Sequence, residues 1–160
     1  VLLNESNPSH PMFWSTTVAT CTALNLDPVR IIANAPTELP GAFSQAARAQ
    51  AQGVVVVADG MFLNERTRIG ELVRASRLPA AFGLREHVLA GGLVSYASDL
   101  RRNHRHAASF ADKILRGARP GLIPVEQPLK FDLAINLAAA RSLAITIPQS
   151  VLIRADELVG

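Results

Sequence analysis

The chain has 160 residues, of which 49% are hydrophobic and 18% charged, a balance that allows one domain with a buried core and excludes a disordered chain. Its 16 lysines and arginines are spread among 13 acids, so the net charge of +3 forms no basic cluster and argues against a nucleic-acid-binding protein. The longest apolar run, residues 54–58, is far shorter than the roughly 18 residues of a membrane-spanning helix, and the one cysteine, Cys21, excludes an internal disulfide and a cysteine-based zinc site.

Apolar runs alternate with amphipathic segments through the first 90 residues. The runs begin near Val1, Val29, Val54 and Pro79, and strands that alternate with helices are typical of βαβ units and a parallel sheet. The second and third runs are continuous rather than alternating, as expected for strands covered by helices on both faces. The sequence therefore predicts an α/β fold, a three-layer α-β-α sandwich with a mainly parallel sheet. Because the chain opens directly on the first run, we expect a segment to precede it in the natural protein.

Three crossover helices are predicted between these strands. The first covers residues 13–24 and the second residues 38–52, with Gly53 placed to end it. Asn64 is the predicted N-cap of the third, in which Ile69 and Val73 share one face.

A long amphipathic helix is predicted after a fifth apolar run at residues 93–96. Asp99 can cap this helix and Gly117 can end it. Its apolar residues lie at helical spacing and form one stripe. They are Leu100, Ala107, Ala108, Ala111, Ile114 and Leu115.

The last 40 residues begin with a proline-rich connection and continue with a strand. The prolines are Pro120, Pro124 and Pro128. Residues 129–135 then alternate between apolar and other side chains, which is typical of a strand with one buried face near the edge of a sheet. The apolar set is Leu129, Phe131, Leu133 and Ile135. Residues 136–144 and 150–158 are predicted to be two short helices.

Three polar residues follow the first predicted strand and precede the first helix: Asn4, Ser6 and Asn7. In open parallel sheets, ligands bind at the carboxyl ends of the strands, where side chains and helix amides converge. These residues could therefore hydrogen-bond a ligand. They could equally form an Asx turn and a helix cap, and the sequence leaves both interpretations open.

Asp59 is the acid of greatest interest, because it emerges from a run predicted to be a buried central strand. A buried carboxylate needs a cation or hydrogen-bond donors, and a ligand ammonium would serve. The same carboxylate could instead cap the turn through Gly60 and Met61, and both interpretations stand.

A phosphoacceptor of a response-regulator receiver also follows a third strand, which makes it a further interpretation of Asp59. That fold needs an acidic pair after the first strand and a lysine after the fifth. This chain has Asn4 and Glu5 at the first position, and Ser95 and Tyr96 at the second. The receiver interpretation is therefore disfavoured.

The motifs of common enzymes and cofactor sites are missing from the sequence. There is no Gly-x-Gly-x-x-Gly, Walker-type Gly-Lys-Ser/Thr or Gly-x-Ser-x-Gly pattern. His104 and His106 are two residues apart on a predicted helix and cannot face one metal ion together. The sequence predicts no catalytic residue, no metal and no cofactor.

Several motifs resemble one known family along essentially the whole chain. Its second half resembles the C-terminal signature of the bacterial ABC-transporter substrate-binding family that includes tryptophan/tyrosine-type binding lipoproteins. The motifs are GGLVSYASDL, IPVEQP with INL downstream, and the closing IP and RADE, preceded by VLLNESNP, VVVVADG and SRLPAAFGLREHVLAGG. Two departures are Glu5, where the family usually has proline, and Ala97, where it usually has glycine.

The resemblance implies a type I periplasmic-binding-protein fold, in which two Rossmann-like lobes joined by hinges close on a ligand. Intact members are nearly twice as long, so this chain would be the C-terminal lobe. Residues 1–90 and 125–160 would form it, and residues 91–124 would be an arm, with the strand and helix at about 92–118 crossing to the first lobe. The hinges would lie at Gly91, Gly92, Pro120 and Pro124, and Ser95 would join Asn4, Ser6, Asn7, Asp59 and Gly60 in the ligand site.

The function implied is binding of a small organic ligand, such as an amino acid, and its delivery to an ABC permease. The intact protein would be a periplasmic or extracytoplasmic lipoprotein, and the exposed stripe of the long helix would favour a homodimer through the 92–118 arm. A ligand-sensing regulatory domain of the same fold is the main alternative. A Rossmann-like enzyme using Asp59 or His87 is the other.

Overall fold

A computed structural model describes residues 1–127 and 130–160. Its centre is a seven-stranded sheet with the order β2-β1-β3-β4-β5-β6-β7. Strands β1 to β5 run parallel, β6 runs antiparallel to β5, and β7 runs parallel to β6. The strands are β1 (Leu2–Leu3), β2 (Ile31–Ile32), β3 (Val54–Val56), β4 (Ala80–Phe82), β5 (Val94–Ala97), β6 (Asp132–Asn136) and β7 (Glu157–Val159). The predicted α/β fold with a mainly parallel sheet is confirmed.

Eight α-helices connect the strands within the described residues, together with two 3-10 turns at Pro36–Glu38 and Pro120–Leu122. The helices are α1 (His10–Ala23), α2 (Leu39–Arg48), α3 (Gly60–Asn64), α4 (Arg66–Ser76), α5 (Glu86–Leu89), α6 (Leu100–Leu115), α7 (Leu137–Ser142) and α8 (Gln149–Leu152). None of them is long and apolar enough to cross a membrane.

The hydrophobic core lies between one face of the sheet and helices α2 and α4. Crossover connections between parallel strands are right-handed, so α1, which leads from β1 outward to β2, lies on the opposite face from α2, which leads back to β3. Leu2, Val56 and Phe82 point to the α2 face and are buried with Phe43 and Ile69. Continuous apolar strands therefore pack as the sequence predicts on this face.

On the other face of the sheet, Leu3 of β1 is buried, whereas β3 and β5 expose side chains to solvent. Val55 lies opposite Ala81, which lies opposite Val94, so the three share this face. Val55 is 47% exposed and Tyr96 is 66% exposed, although central strands of parallel sheets are normally buried on both faces. We call this apolar area around Val55, Val94 and Tyr96 the open face.

Helix α6 stands away from the sheet. None of its residues is buried, and its predicted apolar stripe, with Leu115 at one end, is exposed or only half-buried. It is tied to the rest of the chain by side-chain hydrogen bonds from Arg102 to Asp132 and from Asn103 to Ser98. Asp99 caps it by accepting a hydrogen bond from the Arg101 amide, as predicted.

The strand within the predicted arm requires a correction. β5 pairs with β4 on one side and with β6 on the other, so it belongs to the sheet of this lobe. The segment that stands off begins after Ala97. Gly91 and Gly92 form the turn before β5, and a Cβ on Gly92 would lie 2.4 Å from the Phe82 ring. That tight packing makes Gly92 part of the lobe. Gly91 has a φ of +102° and open space around it, and its role as a hinge stays a prediction.

Two further predictions of local structure are wrong. Asn64 is the last residue of α3 rather than a cap, and α4 follows from Glu65 without a side-chain cap. The predicted helix at 150–158 is a single turn, α8, followed by strand β7, because residues 157–159 pair with β6. The predicted strand at 129–135 is observed as β6, while Pro128 and Leu129 lie outside the described residues.

Candidate functional site

The carboxyl ends of β1 and β3 meet at one edge of the sheet, because these strands are parallel neighbours. Asn4 follows β1 directly, and Asp59 follows β3 after two further residues. The Asn4 amide nitrogen lies 3.3 and 3.4 Å from the two carboxylate oxygens of Asp59, and both side chains are buried. The structure thus brings together residues that are 55 positions apart in the sequence.

The Asp59 carboxylate is the centre of this arrangement. Its Oδ1 accepts hydrogen bonds from the backbone amides of Met61 at 2.8 Å and Phe62 at 3.2 Å, which caps α3. Its Oδ2 accepts a hydrogen bond of 2.8 Å from the side-chain amide of Asn7. The capping interpretation of Asp59 is therefore observed, and the same carboxylate also holds the loop between β1 and α1. We call Asn4, Asn7 and Asp59 the edge cluster.

Hydrogen bonding keeps Asp59 ionised although it is buried. Burial alone would raise the pKa of this carboxyl. The hydrogen bonds from Asn7, Phe62, Asn4 and Met61 favour the ionised form, and together they lower the pKa below its ordinary value. The edge cluster therefore carries a negative charge on Asp59, and within the described residues the groups that donate hydrogen bonds to this carboxylate are neutral amides.

The loop between β1 and α1 is an Asx turn that presents its residues to solvent. The Asn4 Oδ1 accepts from the Ser6 amide at 3.0 Å, and Asn7 accepts from the Ser9 amide at 3.1 Å. Ser6 is exposed, Asn7 is half-buried, and Gly60 is exposed across the edge from them. Ser6, Asn7 and Gly60 are therefore the predicted site residues that a ligand could reach, whereas Asn4 and Asp59 lie beneath them.

Glu5, which departs from the usual family residue, anchors the outer side of this loop. Its carboxylate pairs with Arg30, which precedes β2, and its backbone amide donates to Asn34 at 2.7 Å. The loop is thus held from β2 on one side and from β3 on the other.

Sequence reasoning gave His10 no role, yet it is a buried member of this site. The imidazole is 1% exposed, and its Nδ1 accepts a hydrogen bond of 2.8 Å from the backbone amide of Asn4. Its Nε2 lies 3.4 Å from the Ala58 carbonyl and 3.8 Å from Asp59 Oδ2. The only signal in the sequence was a histidine at the start of a helix that follows a polar loop.

Ser95 does not join the edge cluster. Ser95 is completely buried in the core, and its Oγ has no hydrogen-bond partner in the described part of the chain. It points to the same face of the sheet as Phe82, its neighbour on β4. A side chain in that position has no route to a ligand at the edge of the sheet.

The residues proposed for the other chemistries are also apart from one another. His87 stacks on Phe82 and hydrogen-bonds the Phe62 carbonyl through Nε2, so it does not pair with Asp59. Pro120 and Pro124 lie in the exposed segment that returns from α6 to β6. Within residues 1–127 and 130–160, no three histidine, cysteine, aspartate or glutamate side chains are grouped as metal ligands would be.

Two larger cavities lie away from the edge cluster. One, of about 600 Å³, is at the amino ends of β1 to β3 and is lined by residues that include Val1, Cys21 and Gln50. The other, of about 400 Å³, lies between α6 and the returning segment and is lined by Phe110 and Glu126 among others. In parallel α/β sheets, ligands bind at the carboxyl rather than the amino ends of strands, which favours the edge cluster over the first cavity.

Comparisons with known proteins identify one family. Residues 7–159 match the family described as ABC transporter substrate binding protein. No curated protein matches the sequence at a significant level.

Solved structures with a similar fold are about twice as long as this chain. A conserved domain protein from Vibrio cholerae O1 biovar El Tor aligns over 98% of this chain and 53% of its own, with a TM-score of 0.91 and 21% identity. An ABC domain from Streptococcus pneumoniae in complex with L-Trp aligns over 99% and 55%, with a TM-score of 0.89 and 21% identity. An open, ligand-free substrate-binding protein with adhesive properties from Clostridium difficile aligns over 99% and 52%, with a TM-score of 0.71 and 14% identity.

Proposed function

The chain belongs to the family of ABC transporter substrate-binding proteins, and from that premise we propose that it is one lobe of such a protein and forms one wall of its ligand cleft. The observation that carries the proposal is the edge cluster. Asn4, Asn7 and Asp59 are joined by hydrogen bonds at the carboxyl edge of a parallel sheet, the edge where ligands of this type of fold bind. The role is binding rather than catalysis.

The ligand is a small organic molecule with polar groups, and an amino acid fits the chemistry of this wall. Ser6, Asn7 and Gly60 supply its exposed hydrogen-bonding groups. Beneath them, the ionised Asp59 holds the Asn7 amide and makes the potential negative, which favours a ligand ammonium. The Streptococcus pneumoniae structure contains L-Trp, which supports an amino acid as the ligand class.

A second lobe supplies the other wall. The matched structures contain nearly half of their length beyond the part that this chain spans. The open face and α6 are apolar surfaces that this lobe leaves uncovered, and contiguous apolar surfaces of this kind mark contact sites. Residues 1–97 and 130–160 form the lobe, α6 reaches towards the second lobe, and the segment with Pro120 and Pro124 bends as the lobes close.

Closure then allows the loaded protein to be recognised by an ABC permease. In this role the intact protein works on the extracytoplasmic side of the membrane. When the second lobe is absent, the apolar stripe of α6 has no partner, and two copies of the chain pair through α6 to cover it.

The pairing is tested by light scattering. The chain is expected to show the mass of a dimer, and Leu115→Glu, which places a charge on the exposed stripe, to show the mass of a monomer. Ser109→Glu is the control, because it places the same charge on the side of α6 opposite to the stripe, where Ser109 is exposed. A monomer at high concentration for the unmodified chain would contradict the pairing.

The binding role is tested by thermal unfolding of the chain with a panel of L-amino acids at millimolar concentration. A ligand that binds the folded state and is present at ten times its Kd stabilises it by about 1.4 kcal/mol. We expect at least one amino acid to raise the Tm, and Asn7→Ala to remove the shift. Ser142→Ala, on the opposite side of the lobe from the edge cluster, is expected to retain it. No shift with any amino acid at saturating concentration would count against an amino acid as the ligand.

A further inference from the structure

The buried imidazole of His10 joins three elements at the edge cluster. We propose that His10 is a positioning residue: it fixes the loop from Asn4 to Asn7 in its ligand-contacting conformation, and protonation of the ring releases that loop. The consequence for ligand binding rests on the function proposed above. The consequence for the loop itself does not.

The hydrogen bonds define one tautomer of the ring. A backbone amide can only donate, so Nδ1, which lies 2.8 Å from the Asn4 nitrogen, must carry its lone pair. The ring proton is then on Nε2, which faces the Ala58 carbonyl at 3.4 Å and Asp59 Oδ2 at 3.8 Å. Both neighbours of Nε2 are acceptors, so the neutral Nε2–H tautomer satisfies every contact of the ring.

Through these contacts His10 links the ends of two strands. The Asn4 amide belongs to the residue that leaves β1, and the Ala58 carbonyl belongs to the residue that follows β3 after Val57. Asn4 in turn donates its side-chain amide to Asp59 and accepts from Ser6. A displaced Asn4 backbone would therefore move both polar groups of the Asn4 side chain. One of them, Oδ1, orients Ser6, and the other, Nδ2, orients the Asp59 carboxylate that holds Asn7.

The surroundings of the ring are apolar on its faces and polar at its edges. Phe13 of α1 and Phe62 of α3 each place a ring centroid 6.3 Å from that of His10. From β1 the ring meets the Asn4 backbone. From the end of β3 it meets the Asp59 carboxylate, the charged group in contact with the ring among the residues that the structure describes.

A second proton on the ring can go only to Nδ1. That proton occupies the lone pair that receives the Asn4 amide, so two N–H groups then point at each other in a buried site. The nearby Asp59 carboxylate attracts the resulting imidazolium through Nε2 without restoring the Asn4 contact. The loop from Asn4 to Asn7 thus loses its hydrogen bond to α1 as the ring becomes charged.

NMR tests this without any ligand. Long-range ¹H–¹⁵N correlations report the tautomer and the protonation of His10 over a range of pH values, and amide exchange reports the protection factor of Asn4 at each of them. We expect Nε2–H at high pH, and a loss of Asn4 protection of about tenfold that follows the protonation of His10. His104→Asn, on exposed α6, is the control that leaves both readouts unchanged.

Two substitutions separate positioning from mere packing. Asn in place of His10 offers Oδ1 to the Asn4 amide and does not titrate, so His10→Asn should protect Asn4 at every pH in the range. His10→Leu keeps an apolar side chain but offers no acceptor, and should leave Asn4 unprotected at every pH. If His10→Leu does not fold, the His10→Asn comparison decides alone.

Ligand binding provides the last readout, with L-tryptophan as the probe. We expect its affinity for the unmodified chain to fall about tenfold on acidification, and its affinity for His10→Asn to change little. If L-tryptophan binds neither chain, the function proposed above fails, and the NMR results still decide the role of His10. Protection of Asn4 that is independent of pH in the unmodified chain, or a proton on Nδ1 at high pH, would overturn the inference.

Discussion

Replacing Asp59 by asparagine tests whether this carboxylate holds the loop between β1 and α1 against the start of α3, as its hydrogen bonds indicate. In the native protein Oδ1 accepts from two backbone amides and Oδ2 accepts from Asn7 at 2.8 Å. An asparagine has one acceptor and one donor group, so in either orientation its NH₂ faces groups that can only donate there. Hydrogen bonds to a charged group contribute roughly 1.5–3 kcal/mol each, so we expect Asp59→Asn to lower the free energy of unfolding by about 2–3 kcal/mol. For a domain of this size that lowers the Tm by roughly 5–10 °C.

The matched control is Asp99→Asn, because Asp99 also caps a helix but, in the described part of the chain, its carboxylate accepts from backbone amides alone. Asparagine caps helices as well as aspartate, so this variant should behave like the unmodified chain. Urea unfolding at pH 7 measures both. The lowered pKa of Asp59 adds a second test: its stabilisation is present above the ordinary value of 3.8 and is lost as the pH falls through the lowered pKa, so acid should narrow the difference between Asp59→Asn and the unmodified chain. Equal effects of the two substitutions would refute the reasoning.

Two more predictions concern the packing of the lobe. Gly92→Ala should lower the free energy of unfolding by about 2 kcal/mol, because the new Cβ would overlap the Phe82 ring and lie 2.8 Å from a backbone oxygen. Gly41→Ala in α2, where the space around the residue is open, should raise the free energy of unfolding by about 0.5–1 kcal/mol. Urea unfolding that shows both variants shifted in the same direction would contradict this. Burial lowers the pKa of His87 below its ordinary value of 6.5, so stability is complete above that value and falls as the pH drops below it, by up to about 1.4 kcal/mol per pH unit. His87→Gln should flatten this dependence of the unfolding free energy on pH, and His104→Gln on exposed α6 should not.

The strands that bury continuous apolar runs could be predicted from the sequence because their pattern is local. Val54–Val56 and Ala80–Phe82 lie where β-branched and apolar residues cluster. Both strands can therefore be recognised from their own residues, without knowledge of the strands they pair with. The N-cap at Asp99 and the end of α6 before Gly117 were predicted for the same reason. Gly117 has a φ of +97°, a conformation that favours glycine after a helix.

The end of the chain could not be predicted in this way. Residues 157–159 form a strand because Leu158 lies opposite Ile135 of β6, and because the Asp156 carboxylate accepts a hydrogen bond from the Leu133 amide nearby. Such pairing at a sheet edge depends on tertiary context and overrides local preference. A short run with helical spacing therefore gave the wrong type of element.

The candidate site was predicted in part for a similar reason. That Asn4, Asn7 and Asp59 would meet follows from the rule that parallel strands end at one edge of the sheet. Asp59 caps α3, whereas Asn64 does not cap α4. The difference is that Asp59 also accepts a hydrogen bond from Asn7, which the local sequence around the two residues does not indicate. The role of His10 depends on a contact 48 residues away in the sequence, with the carbonyl of Ala58, and no local pattern indicates it.

Mapping of amide chemical shifts in the ¹⁵N-labelled chain during titration with L-tryptophan, and with the other L-amino acids in turn, is the most direct test that the edge cluster forms the wall of a ligand cleft. We expect the shifts to concentrate at Ser6, Asn7 and Gly60, with smaller changes at Asn4. Shifts that instead cluster around Cys21 and Gln50, at the amino ends of the strands, would contradict the account.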